Sequence, residues 1–393
     1  MNAAIPTADR PARALALVAA LAALLASNAA TAQATIDTLA PRVILIEHAT
    51  GQVLFAKNAE EQIPPASMSK MMLLYIVFEQ LHEGKITLDD TFRVSEKAWR
   101  MEGSKMFVKV GERVAVRDLL QGIIVQSGND ACVVIAEGLA GSEGAFADQM
   151  TERGREIGLK ESVFSNATGW PGEGDLMSAR DLATLASRII TDFPQFYAMF
   201  SQTAFTYNNI RQPNRNPLLT SYPGADGLKT GHTEEAGYGL TASAVRNGRR
   251  LILVAAGMKS EAERAKETER VMDWGFREFA NFEFFKPGEV VAEAPVWLGE
   301  RASVPLVVDG GLSLTMSRTA RRQMTVKAIY DGPIPAGIKK GQQIATLRIE
   351  APDMDPIVRP LVAGADVGRL GFAGRLGAAV SHLVWGPPAA ATN

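Results

Sequence analysis

One cysteine in 393 residues rules out an intrachain disulfide framework. Cys132 sits in Ala131-Cys132-Val133-Val134-Ile135-Ala136, an apolar run where a small buried residue belongs, so it reads as core filler rather than nucleophile. Histidine is also scarce, with four in the chain and no His-Glu-x-x-His helix for a zinc hydrolase. There is no Gly-x-Ser-x-Gly elbow, and no Gly-x-Gly-x-x-Gly follows a strand pattern, so no dinucleotide site is indicated. Neither sign of charge dominates: 41 Lys and Arg face 43 Asp and Glu, a formal net of −2. That balance gives no reason to expect nucleic acid as a partner, and no metal or organic cofactor is implied. The arginine clusters at 246–250 and 318–322 are short and read as solvated faces.

A long apolar run is missing as well. Arg10 and Arg13 precede the uncharged stretch from Ala14 to Ala26, which is shorter than the roughly 20 residues of a spanning helix. Ala30-Thr31-Ala32 has the small-residue form of a signal-peptidase site. A cleaved export signal over 1–32 is the preferred reading, with an uncleaved anchor as the alternative.

What remains is ordinary globular composition, 47% hydrophobic and 21% charged, in a chain long enough for two domains. Residues 41–56 predict two strands around Thr50-Gly51. Pro64-Pro65 then stops the chain before a helical pattern from Met68 to Leu81. Further helices are predicted at 118–125, 130–139, 145–157, 178–190 with Ser178 as cap, and 263–279. Two apolar runs separated by Asn247-Gly248 predict a hairpin. From Phe285-Lys286-Pro287-Gly288 to about Arg359 the chain turns to short β-like runs without a long helix. Beyond them Gly368, Gly371, Gly374 and Gly377 recur every third residue, with Phe372, Leu376, Ala379, Val380 and Leu383 on one helical face. Each glycine costs an exposed helix about 0.5–1 kcal/mol against alanine, so an apolar surface such as a membrane interface would suit this segment. A disordered tail, or a strip packed on the β domain, is the other reading.

Three short motifs carry the chemistry: Ser67-Met68-Ser69-Lys70, Ser127-Gly128-Asn129 and Lys229-Thr230-Gly231. A serine hydroxyl is a weak nucleophile unless a base stands beside it. Ser67 opens the predicted helix and Lys70 lies one turn on, so amine and hydroxyl share a face. To act as base, Lys70 must have its pKa lowered by burial or by a neighbouring cation, for which Lys229 is the candidate. Ser127 offers a hydroxyl to shuttle a proton, and Asn129 an amide for a substrate peptide. Lys229 and Thr230 offer an ammonium and a hydroxyl for a carboxylate. Gly231 would let substrate approach a strand that the motif is expected to border. Each motif alone is weak, since a helix cap or a turn explains it; their order and context together are specific.

In these residues the chain resembles the low-molecular-mass penicillin-binding proteins that are D-alanyl-D-alanine carboxypeptidases. The likeness extends over Pro64 to Lys70, Gly103-Ser104-Lys105-Met106-Phe107, Gln126 to Cys132, Asn214-Arg215-Asn216 and Asp226 to Thr233. It implies an α/β (α+β) penicillin-binding/β-lactamase-like transpeptidase domain over 33–281. A smaller all-β domain over 282–364 and an amphipathic segment over 365–393 would follow. By the same resemblance Ser67 attacks the penultimate D-alanine carbonyl, Lys70 takes its proton, and Ser127 hands a proton to the leaving D-alanine. Asn129 holds the peptide, Lys229 and Thr230 bind the terminal carboxylate with help from Arg215, and the backbone N–H groups of Ser67 and His232 form an oxyanion hole. Arg264 matches a further arginine of the family. The expected partners are peptidoglycan stem peptides ending in D-Ala-D-Ala, with β-lactams as covalent inhibitors. The expected place is the periplasm, with peripheral contact to the inner membrane through 366–386. The alternatives are a class A-like β-lactamase, which lacks its Glu-x-x-Leu-Asn loop here, and a catalytically silent peptidoglycan-binding protein.

Overall fold

The computed structural model describes residues 36–377, apart from Glu173 and Asp353. The expected export signal over 1–32 lies outside the described residues, as does the segment beyond Gly377. Strands β1 (Arg42–Glu47) and β2 (Val53–Lys57) form the predicted pair around Thr50-Gly51. After one turn of 3-10 helix at Ala66–Ser69 comes helix α1 (Lys70–His82). Every residue of α1 from Lys70 to Phe78 is buried. A helix that is apolar all round must be covered on every side, and α1 is the central helix of the larger core.

Around it lie α2 (Val116–Gln126), α3 (Asn129–Ala140), α4 (Glu143–Glu156) and α5 (Ala179–Asp192), close to their predicted positions. Ser178 caps α5 as expected, accepting from Asp181 N at 3.1 Å. Strands β3 (Ala225–Thr233), β4 (Gly237–Arg246) and β5 (Arg249–Met258) follow, and α6 (Glu261–Glu278) covers the sheet. The five-stranded antiparallel sheet has the order β2-β1-β5-β4-β3, which leaves β3 at an edge. Lys229-Thr230-Gly231 lies inside β3 rather than bordering a strand, with Lys229 opposite Thr241 and Gly231 opposite Gly239.

Past α6 the chain is almost all β. Strand β6 (Phe279–Phe285) takes up residues that the sequence pattern assigned to a helix end and a linker. It is followed by β7 (Val290–Trp297), β8 (Ser303–Val307), β9 (Leu312–Ser317), β10 (Thr325–Ile329), β11 (Ile334–Pro335), β12 (Gln343–Glu350) and β13 (Ile357–Ala363). Six of these make one sheet in the order β10-β12-β13-β8-β7-β11, while β6 pairs with β9 as a separate ribbon. This part has its own apolar core, built on residues such as Leu306, Leu347 and Leu361. A part-buried polar joint, with Glu47 and Thr315 buried and Asn281 exposed, ties the ribbon to the first sheet. Asn281 Nδ2 donates to Glu47 Oε1 at 3.0 Å, Thr315 Oγ1 donates to Asn281 Oδ1 at 2.8 Å, and the Thr50 and Thr315 hydroxyls meet at 2.7 Å.

Of the expected amphipathic segment, residues 372–377 are helical, with Phe372 80% and Leu376 60% exposed. The rest of it, to residue 393, lies outside the described residues.

Candidate active site

The nucleophile turn is held in an uncommon backbone shape. Ala66, a non-glycine residue, has φ +49°, and the 3-10 turn it opens presents Ser67 at the head of the buried helix α1. Lys70 follows one turn later, its Nζ 2.7 Å from Ser67 Oγ. The same Nζ also donates to the carbonyl oxygen of Thr168. Lys70 is fully buried. Burial lowers its pKa from 10.5 to about 8, with Arg215 as a nearby cation working in the same direction and Asp175 and Asp130 opposing it. Desolvation is thus the first cause, ahead of any neighbouring cation.

Ser127 stands between α2 and α3 with φ +62°. Its hydroxyl accepts from Lys229 Nζ at 2.9 Å. Lys229 reaches it from β3, is buried, and also donates to Thr230 O at 3.2 Å. Its pKa lies well below 10.5, through burial first and the nearness of Lys70 and Arg215 second. Two ammonium groups so close in a dry site disfavour one another, so the neutral amine that a base requires is available at this pair.

Ser67 and Ser127 open into a cavity of about 620 Å³. Its wall includes Asn129, Thr230, Gly231, His232, Arg215 and Arg264, so the site residues expected from the sequence converge there; Lys70 and Lys229 stand behind it. Arg215 Nη1 donates to Ser104 Oγ at 2.6 Å. Asn129 Nδ2 donates to Glu102 O at 2.8 Å, and its backbone N to Ser104 O at 2.7 Å. Arg264 is 5% exposed; its guanidinium lies over the Tyr238 ring at 5.7 Å and its buried Nε has no hydrogen-bond partner among the described residues. His232 stacks on the same tyrosine, ring centroids 3.9 Å apart.

Gly231 has a different reason from the one its motif suggests. A Cβ at that position would stand 2.8 Å from Pro65 O and 3.1 Å from Met68 Cγ. The glycine therefore lets the edge strand lie flush on the nucleophile turn, which sets the width of the cavity between them.

Three participants were not foreseen in the sequence. Asp130 is buried and accepts from Met106 N at 2.9 Å, Phe107 N at 2.8 Å and Val108 N at 3.2 Å, bracing the strip that presents Ser104. Its signal was only its place directly after Asn129. Thr168 contributes a backbone carbonyl, which carries no residue-type signature. Trp170, 42% exposed, forms part of the cavity wall and fills the space left by Gly103.

The chain matches known proteins over most of its length. A family model for D-alanyl-D-alanine carboxypeptidases covers residues 27–260, and one for the C-terminal domain of penicillin-binding protein 5 covers 279–369. The D-alanyl-D-alanine carboxypeptidase DacC of Escherichia coli K12 is 37% identical over 377 residues, spanning 93% of this chain and 94% of that protein. DacF of Bacillus subtilis 168 is 35% identical over 339 residues, or 85% and 87% of the two chains. The crystal structure of penicillin-binding protein 5 from Haemophilus influenzae superposes with a TM-score of 0.75 at 34% identity, covering 85% of this chain and 99% of that one. With its serine, two lysines and edge strand around one cavity, this chain belongs to the D-alanyl-D-alanine carboxypeptidase family of serine peptidases, among the penicillin-binding proteins.

Proposed function

We propose that the chain is an exported serine-type D-Ala-D-Ala carboxypeptidase that removes the terminal D-alanine from peptidoglycan pentapeptide stems through an acyl-enzyme on Ser67. The observation that carries this reading is the 2.7 Å approach of the buried Lys70 Nζ to Ser67 Oγ at the edge of the cavity. A lysine with its pKa brought down to about 8 has an appreciable neutral fraction near neutral pH.

Ser67 Oγ bonds to the carbonyl carbon of the penultimate D-alanine as its proton moves to Lys70 Nζ. The developing oxyanion is held by the N–H groups of Ser67 and His232, both in the cavity wall. As the C–N bond breaks, Ser127 passes its proton to the departing amine and regains one from the Lys70 ammonium, so Lys70 returns to the neutral amine, Ser127 to the hydroxyl, and free D-alanine leaves. Water then cleaves the ester and restores the serine. Asn129 holds the stem peptide. Arg215 and Thr230 meet the terminal carboxylate in the cavity, with Arg264 adding positive potential. Lys229 supports it from behind the wall through Ser127, and an arriving carboxylate favours its charged form. β-Lactams would acylate the same serine.

The division of the chain at residues 281/282 belongs to this reading; β6 runs across that point and carries Asn281 to the joint with Glu47. So does peripheral contact with the inner membrane through 366–386, of which the exposed Phe372 and Leu376 are the described part.

The test uses purified protein and a Ser67→Ala variant with labelled penicillin and with a peptide ending in D-Ala-D-Ala. Covalent labelling and D-alanine release, both lost in the variant, are expected. Rapid penicillin turnover without peptide cleavage would instead identify a β-lactamase. Neither labelling nor release would identify a binding protein.

A further inference from the structure

None of the three motifs accounts for the second contact of Lys70. A neutral lysine amine has one lone pair and two N–H bonds, and a flexible four-carbon stem does not fix their direction. In this structure one N–H is committed to the Thr168 carbonyl, which turns the rest of the nitrogen toward Ser67 Oγ.

That carbonyl belongs to a loop whose ends are tied by the bridges Ile63–Met177 and Val163–Leu176. The loop presses on the nucleophile turn: a Cβ at Gly169, φ +66°, would lie 2.0 Å from Ala66 O and 2.5 Å from Ser69 Oγ. Two side chains hold its shape. Asn166 Oδ1 accepts from Thr168 N at 2.9 Å, Thr168 Oγ1 at 2.7 Å and Trp170 N at 3.2 Å. Asn166 Nδ2 in turn donates to Asp175 Oδ2 at 2.5 Å. Asp175, buried, uses its other oxygen to accept from Ser165 N at 2.5 Å and Ser165 Oγ at 3.1 Å.

We propose that Asn166 and Asp175 are positioning residues of the acylation step: they set the Thr168 carbonyl against Lys70 so that its lone pair is aimed at the Ser67 hydroxyl. The inference rests on Ser67 and Lys70 acting as nucleophile and base. When the proton passes from Ser67 to Lys70, the new ammonium keeps the same carbonyl acceptor and no group has to move. The charged groups that face Lys70 are Asp130, Asp175, Arg215 and Lys229; the Cys132 thiol beside them is pushed up to about 12 by burial and stays neutral.

The experiment follows Ser67 acylation by labelled penicillin across pH in the full chain, with peptide KM measured in parallel. Asn166→Ala and Asp175→Asn should each slow acylation by about tenfold or more, with KM changed less than about twofold. Both should move the acid limb to lower pH, because an acceptor and a negative charge that favour the ammonium have been weakened. Exchanging the pair, Asn166→Asp with Asp175→Asn, keeps one amide facing one carboxylate and should recover most of the rate. Asp175→Asn changes neither size nor shape, so it serves if Asn166→Ala does not fold. Folded single variants that acylate like the wild type at every pH would overturn the proposal. An exchanged pair that regains thermal stability but not rate would do the same. A wild type that is neither labelled nor releases D-alanine would bring down the Ser67 reading itself.

Discussion

Lys229 Nζ lies 2.9 Å from Ser127 Oγ, buried behind the wall of the cavity whose surface carries Thr230 and Arg215. The ammonium of the third motif is thus bonded to the hydroxyl of the second. Its effect on a carboxylate passes through Ser127 and through its own charge.

This arrangement separates two arginine and lysine phenotypes. Arg215→Ala should raise KM for a peptide acid about 10–100-fold while leaving the corresponding peptide amide unaffected, as loss of a charge-assisted contact requires. Lys229→Ala should lower kcat for both substrates by about 100-fold or more, because the proton path through Ser127 loses its partner. Steady-state kinetics on the paired substrates check this. Equal losses for acid and amide in the arginine variant would refute direct carboxylate contact.

Lys70 predicts two pH effects. Below about 8 the acylation rate should rise on the order of tenfold per pH unit, then level off as the amine becomes neutral. Stability should also climb from pH 8 toward 10.5. The folded-state pKa is about 8 against an ordinary 10.5, so in that window the unfolded chain binds the extra proton and raising pH removes its advantage. The gain between pH 8 and 10 should be about 2 kcal/mol, with Lys229 adding in the same direction. Denaturant midpoints at the two values measure it, and Lys70→Met should flatten the slope. An unchanged slope in that variant would contradict the assignment.

Gly231→Ala would place a methyl group 2.8 Å from Pro65 O, forcing β3 off the nucleophile turn. A cost of about 1–3 kcal/mol and a fall in penicillin labelling are expected together. Thermal melts that fall while labelling at 25 °C stays intact would show that the strand does not set the cavity.

Glu47 is fully buried, and its carboxylate accepts from Thr50 N at 2.7 Å, Thr50 Oγ1 at 2.9 Å and Asn281 Nδ2 at 3.0 Å. Replacing it with alanine strands those donors and should cost about 2–4 kcal/mol. Calorimetry should then resolve separate transitions for the parts on either side of the joint, while D-alanine release stays unchanged. A single unshifted transition would mean that the joint is not what couples them.

Much of this molecule was legible in its residues. Helix α1 was readable from the apolar spacing after Pro64-Pro65, and the β4–β5 hairpin from Asn247-Gly248, because both signals are local. Strand β6 was not: its residues lie between a predicted helix end at Phe279 and the Lys286-Pro287-Gly288 turn, and they become a strand only by pairing with β9. Asp130 and the Asn166–Asp175 pair were not legible for a related reason: what they hold in place is backbone, which has no residue identity.

By itself the sequence determined the chemistry available: a serine and a lysine one helical turn apart, a second hydroxyl at a turn and a second lysine beside a strand. Local periodicity was enough for that, since positions three apart on a helix share a face whatever surrounds them. Tertiary structure alone decided how those groups behave. Burial sets the protonation of Lys70, the Thr168 carbonyl sets its direction, and close packing of β3 on the nucleophile turn makes Gly231 a spacer and Lys229 a partner of Ser127. Desolvation and contact depend on segments about 100 residues apart, and no local pattern encodes which of them will meet.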